Sequence, residues 1–308
     1  MEGLFHSAVD VSSQQPSDRQ NAFNEALVKV LLKVSGDKSI KTDQAILNHF
    51  FPAERFVQSY SYKESARYIE YLASQKKSDD DLGLDDTSDD KSPEANHIQI
   101  DRATVPMKYS LDVDFSSSAL LKELAKLDIP VWGDVRPTIM LWGIIESAGE
   151  RSFIGLAEEN HVLNVVSSIA NDYALPLTFP ESDKIDKSLI NMSDLWGLFP
   201  DAVSKAKKRY SANGDVMVRY YQSVSGLWSA NWFFELNELS YSGSIKDTSL
   251  VEVNEALIAF ISELLSQHYS VQIDTDLLDS KAINLEVENI GQFKDYIEIQ
   301  NYLAKLSP

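Results

Sequence analysis

The sequence contains no cysteine, and this absence excludes three kinds of chemistry at once. Without a thiol, the chain forms no disulfide, offers no thiolate nucleophile and holds no metal ion through a thiolate. Reducing and oxidising compartments both accommodate such a chain, so the cysteine content does not distinguish between the cytoplasm and the periplasm.

Basic residues are scarce relative to acidic ones. The chain has 28 Lys and Arg against 47 Asp and Glu, which gives a formal net charge of −19 and a pI near 4.6. A surface with this charge repels a phosphate backbone, so we expect no nucleic-acid partner.

Long apolar runs and recognisable catalytic motifs are also missing. No apolar run approaches the roughly 18 residues that cross a bilayer, and the opening residues lack the basic region and apolar core of a secretory signal. The 12 glycines are scattered, so no loop has the pattern of a phosphate cradle. The five histidines lack metal-ligand spacing, and no serine lies in a nucleophile-elbow sequence. We therefore expect no catalytic residue, no metal and no cofactor, in a chain that is either cytosolic or without its original signal.

Length and composition indicate a globular α+β protein. A chain of 308 residues with 44% hydrophobic residues is long enough for two domains and part of a third. The interpretation places an N-terminal α+β domain with a mixed sheet over residues 1–130 and a mixed α/β domain over 131–270. A partial βα unit follows over 271–308.

The last unit is predicted to contain a strand near 283–290 and a helix near 292–306. A lone strand and helix cannot bury their apolar faces by themselves. We therefore expect either that the natural chain continues beyond Pro308 or that this unit packs on the preceding sheet.

Periodicity in the N-terminal block predicts strands that alternate with helices. Strands are predicted near 4–11, 56–62 and 107–115, and helices near 17–34, 43–50 and 116–127. The first helix has one apolar stripe, formed by Phe23, Ala26, Leu27, Val30, Leu31 and Val34, and Gly36 supplies its left-handed end. Residues 74–96 carry eight acidic and three basic residues and are interpreted as a disordered insertion between two strands.

The central block predicts a partly parallel sheet that ends in an antiparallel hairpin. Strands are predicted at 138–145, 175–179, 215–222 and 227–236, and helices near 158–173, 201–210 and 250–268. The first of these strands is apolar enough to be buried on both faces. One face of the hairpin, with Trp228, Ala230, Trp232, Phe234 and Leu236, should be core, and the last helix should cover it.

Several segments in a fixed order carry a family resemblance. They are VLLKVSGD, RFVQSYSY, IPVWGDVRPTIMLW, YALPLTFP followed by SDLWGLFP, GDVMVRYYQ with GLWSANWFF, and INLEVENIGQFKDYIEIQNYLAKL. Together they resemble a proteobacterial domain-of-unknown-function family, DUF2066, over nearly the whole chain. That resemblance implies an envelope or secreted protein with a signal peptide, which this chain lacks, and it implies no reaction. The block 138–268 is also loosely similar in topology to the N-terminal domain of the translocation protein TolB.

Three residues are candidates for a partner or ligand surface. Trp132 and Arg136 crowd the turn before the central strand, where an aromatic ring and a planar cation can hold a carboxylate. Trp196 can offer its ring to a sugar. The structural alternatives are that Trp132 closes the turn, that Arg136 satisfies backbone carbonyls or Asp134, and that Trp196 anchors a helix-to-loop junction.

Two charged groups have weaker functional interpretations. The basic run Lys205, Lys207, Lys208 and Arg209 indicates a solvated helix face or a site for an anionic partner. Asp112 and Asp114 share one face of a predicted strand, and paired carboxylates are the minimum for acid–base hydrolysis.

The leading hypothesis is a non-catalytic cell-envelope protein, located in the periplasm, that acts through contacts with an envelope protein partner. A module that binds a small ligand or a cell-wall glycan is one alternative, and a carboxylate-based hydrolase is another. A cytoplasmic location is the alternative to the periplasm. The partner and the oligomeric state stay open at the level of the sequence.

Overall fold

The computed structural model describes residues 3–81, 105–147, 149–157 and 161–273, and five helical positions beyond them. Those positions are Lys294, Ile297, Ile299, Gln300 and Tyr302. The chain divides into two compact units. The smaller unit comprises Phe5–Val30 and Gln44–Leu120, and the larger unit comprises Met1–Leu4, Leu31–Asp43 and Leu121–Pro308. The domain boundaries predicted at residues 130 and 270 stay predictions.

The elements follow one another in mixed order. The first are β1 (His6–Val11), α1 (Pro16–Ser35), α2 (Gln44–Phe50), β2 (Val57–Glu64), α3 (Ala66–Asp81), β3 (Tyr109–Phe115) and α4 (Ser117–Lys126). They continue with β4 (Ile139–Ser147), β5 (Glu150–Ile154), α5 (His161–Asp172), β6 (Leu177–Thr178), α6 (Lys184–Leu189) and α7 (Met192–Trp196). The last are β7 (Gly214–Gln222), β8 (Trp228–Leu236), β9 (Leu239–Asp247) and α8 (Leu250–Tyr269). Among the described residues, no helix is long and apolar enough to cross a membrane.

The smaller unit contains a three-stranded sheet in the order β1-β3-β2. Both pairings with β3 are antiparallel, so the mixed sheet predicted for the N-terminal domain is wrong. The reason is topological, because β3 enters between the first two strands and runs opposite to both. Which strand occupies the centre of a sheet is not encoded in the period of any one strand.

The apolar stripe predicted for α1 is confirmed. All six of its side chains are buried, and the ring of Phe23 meets that of Tyr60 on β2 edge-on, with centroids 5.3 Å apart. Gly36 ends the helix with φ of +70°, and its N–H donates to Leu32 O at 2.8 Å. A residue without a Cβ adopts this left-handed conformation at little cost.

The acidic segment begins differently from the prediction. Helix α3 extends to Asp81, so residues 74–81 are helical and do not form part of a loop. Ala, Leu, Gln and Lys near this junction favour a helix, and they extend the pattern that starts at Ala66. The remainder of the predicted insertion, 82–96, lies outside the described residues.

The larger unit contains a six-stranded sheet in the order β5-β4-β7-β8-β9, with β6 beside β4. Strand β4 runs parallel to β6 and β7, and the other neighbours are antiparallel. The predicted α+β fold class with a partly parallel sheet and a terminal antiparallel hairpin is therefore confirmed. Sequence patterns missed β5, which is short, and β9, whose serine-rich sequence has little apolar character.

One face of this sheet carries the main core. Val216, Val218 and Tyr220 of β7 and the predicted face of β8 are buried there. Helices α5 and α8 pack on each other, and α8 also contacts β8 and β9. The predicted core face of the hairpin is confirmed, with Trp228 partly buried at its end.

The other face is covered at one end by shorter elements. Helix α7 contacts β4 and β7 there. The helix predicted near 201–210 is instead two 3-10 turns, Pro200–Val203 and Ala206–Arg209, because backbone bonds close after three residues at Ser204 and Tyr210.

Two further predictions concern the residues after 273. The predicted strand near 283–290 lies outside the described residues. Of the predicted helix near 292–306, the five described positions are helical.

Candidate functional site

The structure places Trp132 and Arg136 in the interior of the larger unit. Trp132 is fully buried and Arg136 is 8% exposed. The guanidinium carbon of Arg136 lies 4.1 Å from the centroid of the Trp132 ring.

The guanidinium of Arg136 is fully engaged by backbone carbonyls. Its Nε donates to Gly133 O at 3.0 Å, Nη1 to Tyr173 O at 2.9 Å and Ala174 O at 3.1 Å, and Nη2 to Lys33 O at 2.5 Å and Trp132 O at 2.6 Å. A guanidinium has five N–H donors, so these bonds use its whole capacity. Burial lowers the pKa of Arg136 to about 10, and the group stays protonated at neutral pH.

These contacts correct the interpretation of Trp132 and Arg136 as a partner surface. Neither side chain offers an exposed face to a ligand, and Arg136 has no spare donor. Trp132 Nε1 has no hydrogen-bond partner among the described residues, but it is buried. The structural alternative fits the observed bonds, with backbone carbonyls as the acceptors of Arg136.

Trp196, the third candidate, lies at a different place and remains accessible. It ends α7, a short helix whose start is capped by Asn191, which accepts hydrogen bonds from the N–H groups of Ser193 and Asp194. Its side chain is half-buried at the border of the core on the second sheet face. Trp196 therefore anchors a junction and also presents part of its ring.

Two arginines and a tyrosine surround this ring. We call Arg151, Trp196, Arg219 and Tyr221 the Trp196 cluster. The guanidinium carbon of Arg151 lies 3.9 Å from the ring centroid, and that of Arg219 lies 5.6 Å from it. The Tyr221 ring centroid is 6.3 Å away.

Strand register explains why these side chains meet. Glu146 of β4 is opposite Arg151 of β5 and opposite Tyr221 of β7, so all three point to the same sheet face. Arg219 lies two residues before Tyr221 and shares that face. Sequence analysis missed both arginines, since only the pairing of three strands brings them to Trp196.

Hydrogen bonds orient the two guanidinium groups. Nη1 of Arg219 donates to Trp196 O at 2.8 Å, and its Nε donates to Asn231 Oδ1 at 3.4 Å. Nε of Arg151 donates to Glu146 Oε2 at 2.9 Å. Within the described part of the chain, these bonds leave Nη2 of Arg219 and both terminal nitrogens of Arg151 for a further acceptor. The Arg151 side chain is 37% exposed, so such an acceptor can reach it from solvent.

The predicted carboxylate pair forms part of a cluster of acidic and basic side chains in the smaller unit. Asp114 Oδ1 lies 2.9 Å from His6 Nδ1, and Lys63 Nζ lies 2.8 Å from Asp112 Oδ2. The Ser59 hydroxyl donates to Asp114 Oδ2 at 2.7 Å. This bond and the one from His6 lower the pKa of Asp114. A carboxyl held ionised in this way does not fit the general acid that a hydrolase requires.

Ser59 has no activating base in this arrangement. Its hydroxyl donates to a carboxylate, whereas a nucleophilic serine donates to a histidine nitrogen. The contact therefore stabilises the carboxylate rather than the serine oxyanion.

The basic run is partly used inside the larger unit. Arg209 forms ion pairs with Asp183 and with the buried Asp186, and Lys207 Nζ lies 3.3 Å from Asp215 Oδ2. Lys205 and Lys208 are exposed, as predicted for a solvated face. Sequence analysis missed Asp186, because a buried carboxylate has no local signal when its partner is 23 residues away.

No group of three or more His, Cys, Asp or Glu side chains in the described ranges is arranged to hold a metal ion.

Comparisons with known proteins give one partial match. A family model described as a domain of unknown function, DUF8605, matches residues 1–133. No curated protein and no solved structure matches the chain. The resemblance to DUF2066 is corrected by this result, because the matching model is a different family and DUF2066 does not match. The likeness to TolB rested on topology and gains no support from a solved structure. The chain is thus similar to DUF8605 over its first 133 residues.

Proposed function

We propose that the chain is a non-catalytic binding protein that works through contacts with another protein, and that the Trp196 cluster is its contact surface. The observation that carries this proposal is the placement of two guanidinium groups beside one half-buried indole. Arg and Trp dominate the binding energy of many protein interfaces, because they combine apolar area with directional hydrogen bonds.

The chemistry of the cluster favours a single carboxylate on the partner. Among the described residues, Glu146 beside Arg151 is the one counter-charge of the two guanidinium groups. A net charge of −19 repels a strongly acidic partner at long range. A partner that fits therefore presents one carboxylate beside an apolar side chain that packs on Trp196 and Tyr221.

The two alternative functions are less well supported by the geometry. A sugar that stacks on Trp196 needs a face of the ring, and the guanidinium of Arg151 lies over the ring at 3.9 Å. In the carboxylate pair of the smaller unit, hydrogen bonds from Ser59 and His6 lower the pKa of Asp114, which does not suit a general acid. Both alternatives stay predictions that binding and activity assays decide.

The proposal is tested by site-specific photo-crosslinking in the native host. A benzophenone amino acid at Tyr221 is expected to give one discrete adduct, because this side chain borders the exposed part of the cluster. Replacing both Arg151→Gln and Arg219→Gln should remove the adduct. The matched control is Arg67→Gln, whose side chain is 77% exposed in the smaller unit, and it should leave the adduct unchanged.

Melting curves distinguish lost binding from lost folding. The double variant should stay folded and melt cooperatively. The partly exposed ion pair of Arg151 with Glu146 contributes at most about 1 kcal/mol, and the hydrogen bond from Arg219 to Trp196 O contributes about 1–3 kcal/mol. An adduct that persists in a folded double variant contradicts the proposal, as does the absence of any discrete adduct from Tyr221.

The location in the cell is a separate proposal. The sequence motivates a periplasmic location, with the cytoplasm as the alternative. Fractionation of the native host that expresses the complete gene decides between them, and recovery in the cytosol contradicts the periplasmic proposal.

A further inference from the structure

Among the strands that the structure describes, β9 forms one edge of the large sheet. All nine of its residues pair in unbroken antiparallel register with β8, from Leu239 opposite Leu236 to Asp247 opposite Trp228. Within the described part of the chain, no backbone hydrogen bond joins β9 to any other strand. Its outer edge therefore has no partner there.

Within the described ranges, this edge lacks the features that block pairing with another strand. In an antiparallel pair, alternate residues direct their N–H and C=O groups away from the neighbour. Natural edges are protected by proline, bulges, inward-pointing charges or covering segments. Strand β9 has no proline, its register shows no bulge, and its single lysine, Lys246, lies near the end.

The outer edge of β9 is also accessible. Ser240, Tyr241, Ser242, Ser244 and Lys246 are exposed. Gly243 at the centre approaches Trp232 of β8 so closely that a Cβ on it would meet the indole at 2.6 Å. The strand is therefore held against β8 on one side and open on the other.

The sequence of β9 is nearly self-complementary. In an antiparallel pair of two copies centred on Gly243, Ser242 is opposite Ser244 and Tyr241 is opposite Ile245. Ser240 is then opposite Lys246, and no like charges face each other. Serine pairs and aromatic–β-branched pairs are favourable cross-strand neighbours.

We propose that the β9 edge is an interface between two copies of this chain, which pair antiparallel about a two-fold axis at Gly243. Such an interface is isologous, because the same strand serves both copies. It extends the six-stranded sheet of one copy into that of the other. The Trp196 cluster is carried by β5, β7 and α7, at a distance from this edge, so the pairing does not depend on the proposed function.

The first test measures oligomeric state at physiological salt. Sedimentation of the full chain over a concentration series should show a reversible monomer–dimer equilibrium. Salt of roughly 0.15 M is needed, because it screens the repulsion between two strongly acidic copies. A chain that stays monomeric over the whole series overturns the proposal, and an edge used by another protein's strand would give that result.

Charge substitutions then test the register. Ser242→Lys with Ser244→Lys places two lysines opposite each other twice in the dimer and should weaken it by about tenfold or more. Ser242→Lys with Ser244→Glu is the matched control, because it places opposite charges at the same two positions and should preserve the dimer. A dimer that responds equally to both variants overturns the proposed register.

Cysteine substitutions test the same register if a charge variant fails to fold. The chain has no native cysteine, so single Ser242→Cys and Ser244→Cys variants introduce the only thiols. In the proposed register, position 242 of one copy lies directly opposite position 244 of the other. The two residues 242 of the dimer are diagonal neighbours, about 7–8 Å apart, and this is too far for a disulfide. An equimolar mixture should form an interchain disulfide under mild oxidation, and each variant alone should not. A mixture that crosslinks no better than the single variants overturns the proposal.

Discussion

Arg136 joins three stretches of backbone in the larger unit through its five N–H donors. Its acceptors lie at the end of α1, in the turn at Trp132 and Gly133, and just after α5. A carbonyl oxygen that is buried without a hydrogen-bond donor lowers the stability of the folded state. The Arg136 side chain is therefore needed for stability, because it supplies donors to these buried carbonyls.

Replacing Arg136→Met should lower the free energy of unfolding by about 3 kcal/mol or more, because several buried carbonyls lose their donors. Arg136→Lys should be almost as unstable, since an ammonium cannot reach acceptors spread around a planar fork. Urea unfolding followed by tryptophan fluorescence measures both effects.

The control for Arg136 is Arg67→Met, because the Arg67 side chain is 77% exposed. It should change the free energy of unfolding by no more than about 0.5 kcal/mol. If Arg136→Met unfolds at the same urea concentration as the parent, the structural role is wrong.

The ion pair between Asp183 and Arg209 should give a pH-dependent contribution to stability. Hydrogen bonds from Arg209 lower the pKa of Asp183 from 3.8 to about 2. The folded state therefore binds this proton more weakly than the unfolded chain, and the pair stabilises the fold above pH 3.8. The contribution is lost as the pH falls from 3.8 towards 2.

Asp183→Asn isolates this charge effect. Asp183 also caps α6 by accepting a hydrogen bond from Asp186 N at 2.8 Å, and asparagine can keep that cap. The melting temperature of the variant should be below that of the parent near neutral pH, and the two should converge below about pH 2. A constant difference between them from neutral to acid pH contradicts this assignment, and the exposed Asp201→Asn serves as the control.

At the scale of elements, a buried polar pair connects the long helix α8 to the sheet. The Tyr220 hydroxyl on β7 donates to Asn254 Oδ1 at 2.7 Å, and Asn254 Nδ2 donates to Leu250 O at 2.8 Å. Both side chains are fully buried, and burial raises the pKa of Tyr220, so its phenol stays neutral and donates. The pair fixes the position of α8 on a face that is largely apolar.

Tyr220→Phe should cost about 1–3 kcal/mol, because it leaves the buried Asn254 oxygen without a donor. Tyr220→Phe combined with Asn254→Leu should cost less than the sum of the two single variants. A double-mutant cycle from urea unfolding measures this coupling. Tyr269→Phe, at the exposed end of α8, is the control and should be nearly neutral, and strictly additive costs in the cycle contradict a direct interaction.

Element patterns also show where sequence reasoning succeeded and failed. The stripe of α1 and the core face of β8 follow from a single period in consecutive residues, and both are confirmed. Strand β9 was missed because it has no apolar period. The two 3-10 turns at 200–209 were predicted as one helix because Val203, Ala206 and Tyr210 repeat at helical spacing. In the 3-10 turns, Arg209 and Lys207 form ion pairs with carboxylates that are distant in the sequence. No local sequence pattern reveals such pairs.

At the scale of the whole molecule, the net charge of −19 opposes folding through repulsion among like charges. Raising the ionic strength from about 0.01 to 0.15 M shortens the screening length from roughly 30 to 8 Å. The melting temperature at neutral pH should therefore rise with salt. Differential scanning calorimetry measures the change.

The same salt series near the pI provides the control. At a pH near 4.6 the net charge approaches zero, so the gain with salt should shrink. A melting temperature that falls with added salt at neutral pH would show that attractive ion pairs outweigh the net repulsion.

The sequence by itself determined the absence of thiol chemistry, the acidic surface, the α+β class and the buried faces of the most periodic elements. These properties depend on composition or on residues within one or two turns, so they can be determined without knowing the fold.

Only the tertiary structure decided the order of the strands, the burial of Trp132 and Arg136, and the arginines beside Trp196. It also showed that β9 is an edge among the described strands. Each of these depends on which distant segments become neighbours, and local periodicity contains no information about that choice. For this reason the turn at Trp132 and Arg136, which looked most functional in the sequence, connects buried segments of backbone. The Trp196 cluster could not be recognised before the pairing of three strands was known.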